Sequence, residues 1–323
     1  LFNDFESIKV GVIGDVMLDT YLWGGVERIS PEAPVPIVSV TKKEQRIGGA
    51  GNVALNLRSL GAQPYVISVM GEDDEATCLT QLFADKKINS EYCLNSSHRI
   101  TTNKTRIISR NQQMMRLDAE LTNDLEEADQ ENLLRNFRAF VETESPDIVI
   151  LEDYNKGVLT EAVIREVILI CKEANVLTAV DPKRKNFFNY KGVDIFKPNL
   201  KEVKEALNIL FADVELPFLR DIHEALQQEL HHHISFITLS EKGVFYQQDA
   251  SASIIPSHIR NIADVSGAGD TVIAVAAVVY AARRNVHLMA EIANIAGGLV
   301  CEEVGTAAIN KIALIHECEL LLS

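Results

Sequence analysis

Short apolar runs of strand length alternate with longer segments of helical period along most of this 323-residue chain, and that rhythm constrains its fold more than any other feature. Lys9 to Gly14 reads as a buried strand, Ala50 to Leu60 as a helix ended by Gly61, and Pro64 to Met70 as the next strand. Asp147 to Leu151, Val176 to Val180 (stopped by Asp181-Pro182), Asp194 to Phe196 and Ile234 to Leu239 supply further strands. Helices such as Glu161 to Ala174 lie between them. This βαβα order predicts an α/β fold with a central, mostly parallel sheet, helices on both faces, and ligands at the carboxyl ends of the strands. No repeat with a period of roughly 20–50 residues and no low-complexity linker interrupts the rhythm, which predicts one domain over residues 1–323.

Two segments break the pattern, approximately 16–47 and 90–118. The first holds Trp23, Gly24-Gly25 and three prolines at 31, 34 and 36, and leads into the alternating Val35 to Val40. In the second, Lys104, Arg106, Ile108 and Arg110 share one face of a strand; Asn111-Gln112 can turn the chain and Met114 to Leu117 can return it. Together they predict a small antiparallel sheet projecting from the body. Such a sheet can close as a lid over substrate, or pair with a second copy as a homodimer. Trp23 is expected to pack within it.

The net charge of −15 argues against nucleic acid or an anionic membrane surface as partner, since both reward basic patches. A small anion needs only two or three placed cations and stays open. No apolar run reaches the ~18 residues of a membrane span. The sequence opens at Leu1 without a basic-then-apolar signal pattern. Five scattered cysteines without a C-x-x-C pair predict reduced thiols in a cytoplasmic protein, not a disulfide frame or zinc site. Three consecutive histidines, 231–233, diverge and read as a polar helix end.

The stretch from Asp264 to Asp270 (DVSGAGD) carries the chemistry. It opens an almost wholly apolar helix, Thr271 to Ala282. Gly267, Ala268 and Gly269 have little or no side chain, so their N–H groups can approach an anion at the helix N-terminus. Asp270 beside such an anion hole can take the proton of an attacking hydroxyl, an arrangement that suits phosphoryl transfer to an alcohol. It can equally be a first-turn aspartate favoured by the helix dipole. Gly48 and Gly49 precede a helix in which Asn52 can meet a sugar hydroxyl. Asp19, just past the first strand, can bind two hydroxyls of a polyol or serve a turn. Asn199 and Glu202 face one another across one helical turn, a spacing that suits a helix cap and also water-mediated Mg²⁺. The chain has no G-x-x-x-x-G-K-[ST], and Gly11 to Asp15 lacks the G-x-G-x-x-G order, which disfavours a P-loop kinase and a dinucleotide site.

In order and spacing these motifs resemble the ribokinase-like carbohydrate kinases along nearly the whole chain. Val265-Ser266 stands where a Thr-x is common in that family, and Gly48 lacks a preceding glycine. A narrower set is similar to the bacterial kinases of D-glycero-β-D-manno-heptose 7-phosphate: Gly14 to Asp19 (GDVMLD), Arg28 to Pro36, Ser109 to Gln113 with Arg116-Leu-Asp118, and Asp153 to Gly157 (DYNKG). The resemblance implies ATP- and Mg²⁺-dependent phosphorylation of the anomeric O1 to the 1,7-bisphosphate, in ADP-heptose and lipopolysaccharide-core precursor synthesis. It implies that Asp270 is the base and that the amides of 267–269 hold the transferred phosphoryl group. Asn199, Glu202, Ser240, Gly243 and Asn294 would bind ATP, with Glu202 (through water) and Asn199 at the metal. Asp19, Gly48, Gly49, Asn52 and Asp153 would hold the sugar. The substrate's own phosphate would fall to Lys104, Arg106, Arg116 and Lys156, since arginine suits bidentate phosphate binding. A monovalent cation near Asp264 and Gly305-Thr306, as in some relatives, stays open. Such kinases often precede a fused nucleotidyltransferase; a chain ending at Ser323 resembles a stand-alone kinase or the excised kinase half. The rival expectations are another kinase of the family, acting on ribose, fructose or a fructose phosphate, and a non-catalytic sugar- or nucleotide-binding regulator.

Overall fold

The computed structural model describes residues 1–323 apart from 111, 211–213, 259, 304 and 323. β1 (Lys9–Gly14) lies in the main sheet, and β2 (Val16–Ile29) and β3 (Pro36–Gly49) leave and rejoin the body as a long hairpin. α1 (Ala50–Leu60) ends at Gly61, whose φ of 102° supplies the left-handed cap that glycine adopts freely. There follow β4 (Gln63–Ile67), β5 (Val69–Gly71), α2 (Asp74–Asp85) and β6 (Leu94–Ser96). β7 (Asn103–Ser109) and β8 (Gln112–Ala119) form a second hairpin. Next come α3 (Glu127–Glu144), β9 (Ile148–Glu152), α4 (Glu161–Glu173), β10 (Leu177–Asp181) and β11 (Ile195–Phe196). The chain continues through α5 (Leu200–Ala206), α6 (Leu216–Leu230), β12 (Ile234–Thr238), β13 (Val244–Gln248) and β14 (Ser251–Ile255). α7 (Ala268–Arg283), α8 (Val286–Val300) and α9 (Lys311–Leu321) complete it.

Among the described residues the main sheet has eight strands in the order β14-β13-β12-β11-β10-β9-β1-β4. They are parallel except for β13, which runs antiparallel to both neighbours. Successive residues of each central strand feed opposite layers. Ile148 and Ile150 join a core with Val53 of α1, Val275 of α7 and Ile292 of α8. Val149 and Leu151 join a second core with Phe137 of α3, Val163 of α4 and Leu226 of α6. Burial on both faces is why these strands read as unbroken apolar runs. α7 is buried from Asp270 to Tyr280, which accounts for its lack of a polar stripe. The expected α/β fold with helices on both faces is therefore present. No helix among the described residues is long and apolar enough to cross a membrane.

Five expectations need correction. The single strand at 64–70 is two: β4 stops at Ile67, the buried Ser68 hydroxyl donates to the Gly14 carbonyl (2.7 Å), and β5 pairs with β6 in a separate small sheet. The projecting sheet, ordered β3-β2-β7-β8, is mixed, not antiparallel throughout. β2 and β7 pair in parallel from Leu18↔Asn103 to Gly24↔Ser109, both running outward from the body. Its second segment enters at Asn103, not near 90, because Arg99 is tied into the body through the carbonyls of Asn123, Leu121 and Lys156. Arg110 is not on the strand face either: it sits in the turn, at φ 50°, and Asn111 lies outside the described residues. Of the three histidines, His231 ends α6, whereas His232 is buried, its Nε2 2.6 Å from Ser235 Oγ. Trp23 stacks on Tyr21, as lid packing requires.

Candidate active site

Gly267 precedes α7 with φ 80°, and an added Cβ there would stand 2.9 Å from the Asn52 amide nitrogen. Both facts call for glycine: the left-handed turn aims the first amides of α7 outward, and the close approach lets α1 pack beside them. Asp270 follows in the first helical turn, buried. Asn52 Nδ2 donates to its Oδ2 and the Tyr154 hydroxyl to its Oδ1, each at 2.7 Å. Burial pushes the Asp270 carboxyl up to about 6, against the lowering effect of those two donors. A carboxyl there releases its proton near neutrality and can take one back from a hydroxyl, which is the property a general base needs.

The ends of three neighbouring strands complete the floor. Asp181, at the end of β10, meets Lys197 Nζ at 2.8 Å and Lys183 Nζ at 3.1 Å. Burial opposes its ionisation, but the two ammonium groups win and hold it below the usual carboxylate range. Glu152, at the end of β9, is fully buried with no hydrogen-bond partner among the described residues on either oxygen. Burial, with Asp181 and Asp270 nearby, pushes it well above that range. Asp15, just past β1, accepts the N–H groups of Tyr154 (2.8 Å), Lys156 (3.0 Å) and Val158 (3.1 Å) and so pins the loop that presents Tyr154.

Asn199 and Glu202 form a reciprocal capping box at the start of α5, with bonds of 2.9 and 2.8 Å. The other Glu202 oxygen lies 3.2 Å from Lys183 Nζ. The cap is thus realised, and Glu202 is at the same time tied to the Asp181 cluster. A cavity of about 1630 Å³ opens beside α7 and is bordered by Asn199, Ser240, Gly243, Asn294 and the 267–270 turn, which brings most of the expected nucleotide residues onto one wall. Among the described residues no three acidic, histidine or cysteine side chains gather as a metal cage. Carboxylates at Asp181 and Glu202 fit instead a divalent ion that arrives on nucleotide phosphates and takes most of its ligands from them and from water.

The lid contributes the other wall. Register places Asp19 beside Lys104 of β7 and Arg46 of β3, and Arg106 opposite Arg116 of β8. Arg106 Nη1 reaches Asp19 Oδ1 at 2.5 Å. Gly48 leaves room for the Asp19 carboxylate, into which a Cβ would run, and Gly49, at φ 59°, passes close to the Asp15 carbonyl. Arg116 is spent on a bidentate pair with Asp118 (2.8 and 2.9 Å) and is half exposed. Lys156 Nζ turns to Glu120 (2.7 Å). Lys104 differs: its ammonium lies 5.6 Å from the Tyr154 ring centroid, and burial together with Lys156 lowers its pKa. Asp153 points inward, accepting from Tyr190 (2.7 Å) and from the Asn155 N–H (2.7 Å), and so organises the loop from behind. Asp264 accepts the N–H groups of Ser266 and Gly305, both at 2.9 Å, which ties the stretch before α7 to the loop at 305.

Sequence reasoning assigned no role to Tyr154, Asp181, Lys183, Lys197 or Glu152. The signal was available, since Glu152, Asp181 and Lys197 all stand at the carboxyl ends of parallel strands, where ligands of such sheets bind.

A doubly covered parallel sheet with a glycine turn, a buried carboxylate at a helix start, a large cleft and a cationic lid defines a phosphoryl-transfer enzyme of the ribokinase-like class. Residues 7–313 match the pfkB family of carbohydrate kinases, and the chain belongs to that family. It is accordingly a phosphotransferase acting on a sugar hydroxyl, with ATP and a divalent metal as the family's requirement. It is 37% identical over 313 residues to the bifunctional protein HldE of Syntrophotalea carbinolica, covering 97% of this chain and 63% of that one. With the protein of the same name from Aliarcobacter butzleri it shares 40% over 298 residues, covering 92% and 61%. The chain thus spans less than two thirds of these relatives. In fold it is similar to Escherichia coli phosphofructokinase-2 in complex with potassium (TM-score 0.81, 16% identity, 98% of this chain and 99% of that one). Arabidopsis thaliana ribokinase complexed with ribose and ATP gives a TM-score of 0.72 at 16% identity, covering 95% and 98%.

Proposed function

We propose that the chain transfers the γ-phosphoryl group of ATP to the anomeric O1 of D-glycero-β-D-manno-heptose 7-phosphate, a step toward ADP-heptose for the lipopolysaccharide core. One observation carries the reading: Asp270 sits buried at the first turn of α7, between the cleft and the lid cations, with its carboxyl poised near 6. Asp270 accepts the O1 proton as the hydroxyl attacks, and the amides of Gly267, Ala268 and Gly269 meet charge on the transferred group. Lys183 and Lys197 add charge compensation from the floor. Asn199, Ser240, Gly243 and Asn294 line the nucleotide side. Glu202, through water, and Asn199 would hold Mg²⁺ brought with ATP, which would supply charge neutralisation at the phosphates. Asp19, Gly48, Gly49 and Asn52 face the sugar.

The sugar's distal phosphate falls to the lid, with Lys104 and Arg106 nearest the site and Arg116 and Lys156 at its margin. Likeness to proteins named bifunctional protein HldE fits the heptose-phosphate reading of the motifs. We treat residues 1–323 as one kinase domain with the lid inserted in it, working in the cytoplasm, where its five free thiols stay reduced. A second copy covers the lid's outer face. A monovalent cation beside Asp264 is part of the same reading.

The test is ADP release over a panel of heptose 7-phosphate, fructose 6-phosphate, fructose and ribose, with wild type and Asp270→Asn. Turnover with the heptose phosphate, reduced roughly 10²–10⁴-fold in the variant, is expected. Near-normal turnover in the variant removes Asp270 from the chemistry, and release with only fructose 6-phosphate reassigns the substrate. ATP binding without release for any sugar indicates a regulator.

A further inference from the structure

Asp270 is met by side chains from several elements. From α1 comes the Asn52 amide, bonded to Oδ2; titratable groups stand nearby without bonding to it, namely the buried Glu152 of β9, Asp181 and Lys183 of β10 and the loop after it, and Lys197 just past β11, bound to Asp181. The remaining contact is the Tyr154 hydroxyl, 2.7 Å from Oδ1. Two features set this tyrosine apart from a packing residue. Its backbone N–H is held by Asp15, so the ring is fixed from behind. Its ring also has two ammonium groups over it, Lys104 from the lid and Lys183 from the body, each 5.6 Å from the centroid. One aromatic side chain therefore touches the base, the lid cation nearest the site and a lysine of the phosphate floor.

We propose that Tyr154 is a positioning residue that orients the Asp270 carboxylate through its hydroxyl and ties that orientation to the lid through Lys104. The proposal rests on Asp270 being the base. With one oxygen held by Asn52 and the other by Tyr154, the carboxylate cannot rotate about its last bond, and a fixed lone pair on each oxygen faces the space where the acceptor hydroxyl enters. The hydroxyl also favours the ionised form of Asp270, because it donates to a charged acceptor. A substrate phosphate that draws Lys104 toward itself moves that ammonium off the ring face, and because the same ring carries the hydroxyl bonded to Asp270, the movement is felt at the base. Lid engagement and base orientation thereby meet at one residue.

Tyr154→Phe removes the hydroxyl and keeps the ring. The pH dependence of kcat/KM, followed by ADP release, is measured for wild type, Tyr154→Phe and Tyr154→Leu, with Asp270→Asn as reference. Expected in Tyr154→Phe is an acid limb displaced upward by roughly half to one pH unit, as loss of a donor to the carboxylate requires, and a kcat lowered about tenfold. The KM for sugar phosphate stays within about twofold, since the ring still faces Lys104. Tyr154→Leu adds a rise in that KM. An acid limb that does not move in Tyr154→Phe overturns the proposal, even if thermal stability falls, because a purely structural role would lower stability alone. The two failures are separable. If Asp270→Asn retains near-normal turnover, the base assignment fails; if Asp270→Asn is inactive while Tyr154→Phe keeps both its acid limb and its kcat, only the tyrosine assignment fails.

Discussion

Asp270→Asn should stabilise the fold while it lowers turnover roughly 10²–10⁴-fold. The carboxyl of Asp270 rises from 3.8 to about 6 on folding, mainly through burial. A carboxyl with a folded pKa above its unfolded value releases its proton more readily from the unfolded chain, so ionisation favours unfolding. The penalty is absent below 3.8, grows between 3.8 and about 6, and is complete above that. Two pH units at 1.36 kcal/mol each make it about 3 kcal/mol at pH 8. The neutral amide escapes it but loses one charge-assisted hydrogen bond, since it has one acceptor oxygen for the two donors Asn52 and Tyr154. Its own N–H groups can turn to Asn52 Oδ1, which is buried without a partner among the described residues. A net gain of about 1–2 kcal/mol remains after that loss. For a chain of 323 residues this raises Tm by roughly 2–3 °C. The assay is thermal unfolding of both proteins at pH 8 and at pH 4, with circular dichroism as probe. The variant should melt higher at pH 8, and the difference should shrink or vanish at pH 4. A variant that melts lower at pH 8, or a difference equal at both pH values, refutes the burial argument.

Two further outcomes bear on the lid. Among the described residues Lys104 has no carboxylate within ion-pair distance, so Lys104→Met should raise KM for the phosphorylated sugar at least tenfold with kcat changed less than about threefold, and an unchanged KM places the phosphate elsewhere. Met115 and Leu117 lie on the lid face opposite Arg106 and Arg116 and are 56% and 51% exposed, so Met115→Glu with Leu117→Glu should convert a dimer to a monomer in light scattering; a variant that stays dimeric moves the interface off this face.

The body was legible because its strands are buried on both sides and its helices carry their own stops. Gly61 marks the end of α1 where it falls, whereas α7 begins at Ala268, directly after the Gly267 turn and three residues ahead of the expected Thr271. The lid was legible only as alternation. Period 2 says which residues share a face but not which strand pairs with which, and the parallel β2–β7 contact joins residues more than eighty positions apart. Inward or outward direction was equally hidden. Asp153 and Asp19 look alike as aspartates beyond a strand, yet Asp153 is taken up by Tyr190 and a backbone turn while Asp19 faces the lid cations. The capping-box spacing at Asn199 and Glu202 left cap and metal open, and the cap is what local hydrogen bonding selects. Lys183, Lys197 and Asp181 belong to no compact motif, so their meeting depends on strand order alone.

For a chain with a net charge of −15, binding ATP and, on the proposed reading, a sugar phosphate poses an electrostatic problem that the pairing of its cations shapes. Arg106 is neutralised by Asp19, Lys156 by Glu120, Lys197 by Asp181, and Lys183 by Asp181 and Glu202. An incoming phosphate therefore meets few bare charges and must exchange with a carboxylate already in place. That lowers the affinity for any small anion, because every new bond to phosphate displaces one that the cation already makes. It also penalises a wrong ligand more than a right one. A ligand that takes the cation with its phosphate and gives Asp19 or Asp181 a hydroxyl or metal partner in exchange replaces one set of charge-assisted bonds with another, whereas one that takes the cation alone leaves a buried carboxylate unpaired. Lys104 stands outside this scheme, with no carboxylate of its own among the described residues and with Tyr154 linking it to Asp270. On the proposed reading, the lid cation left to respond to a sugar phosphate is thus the one that lies over the residue bonded to Asp270.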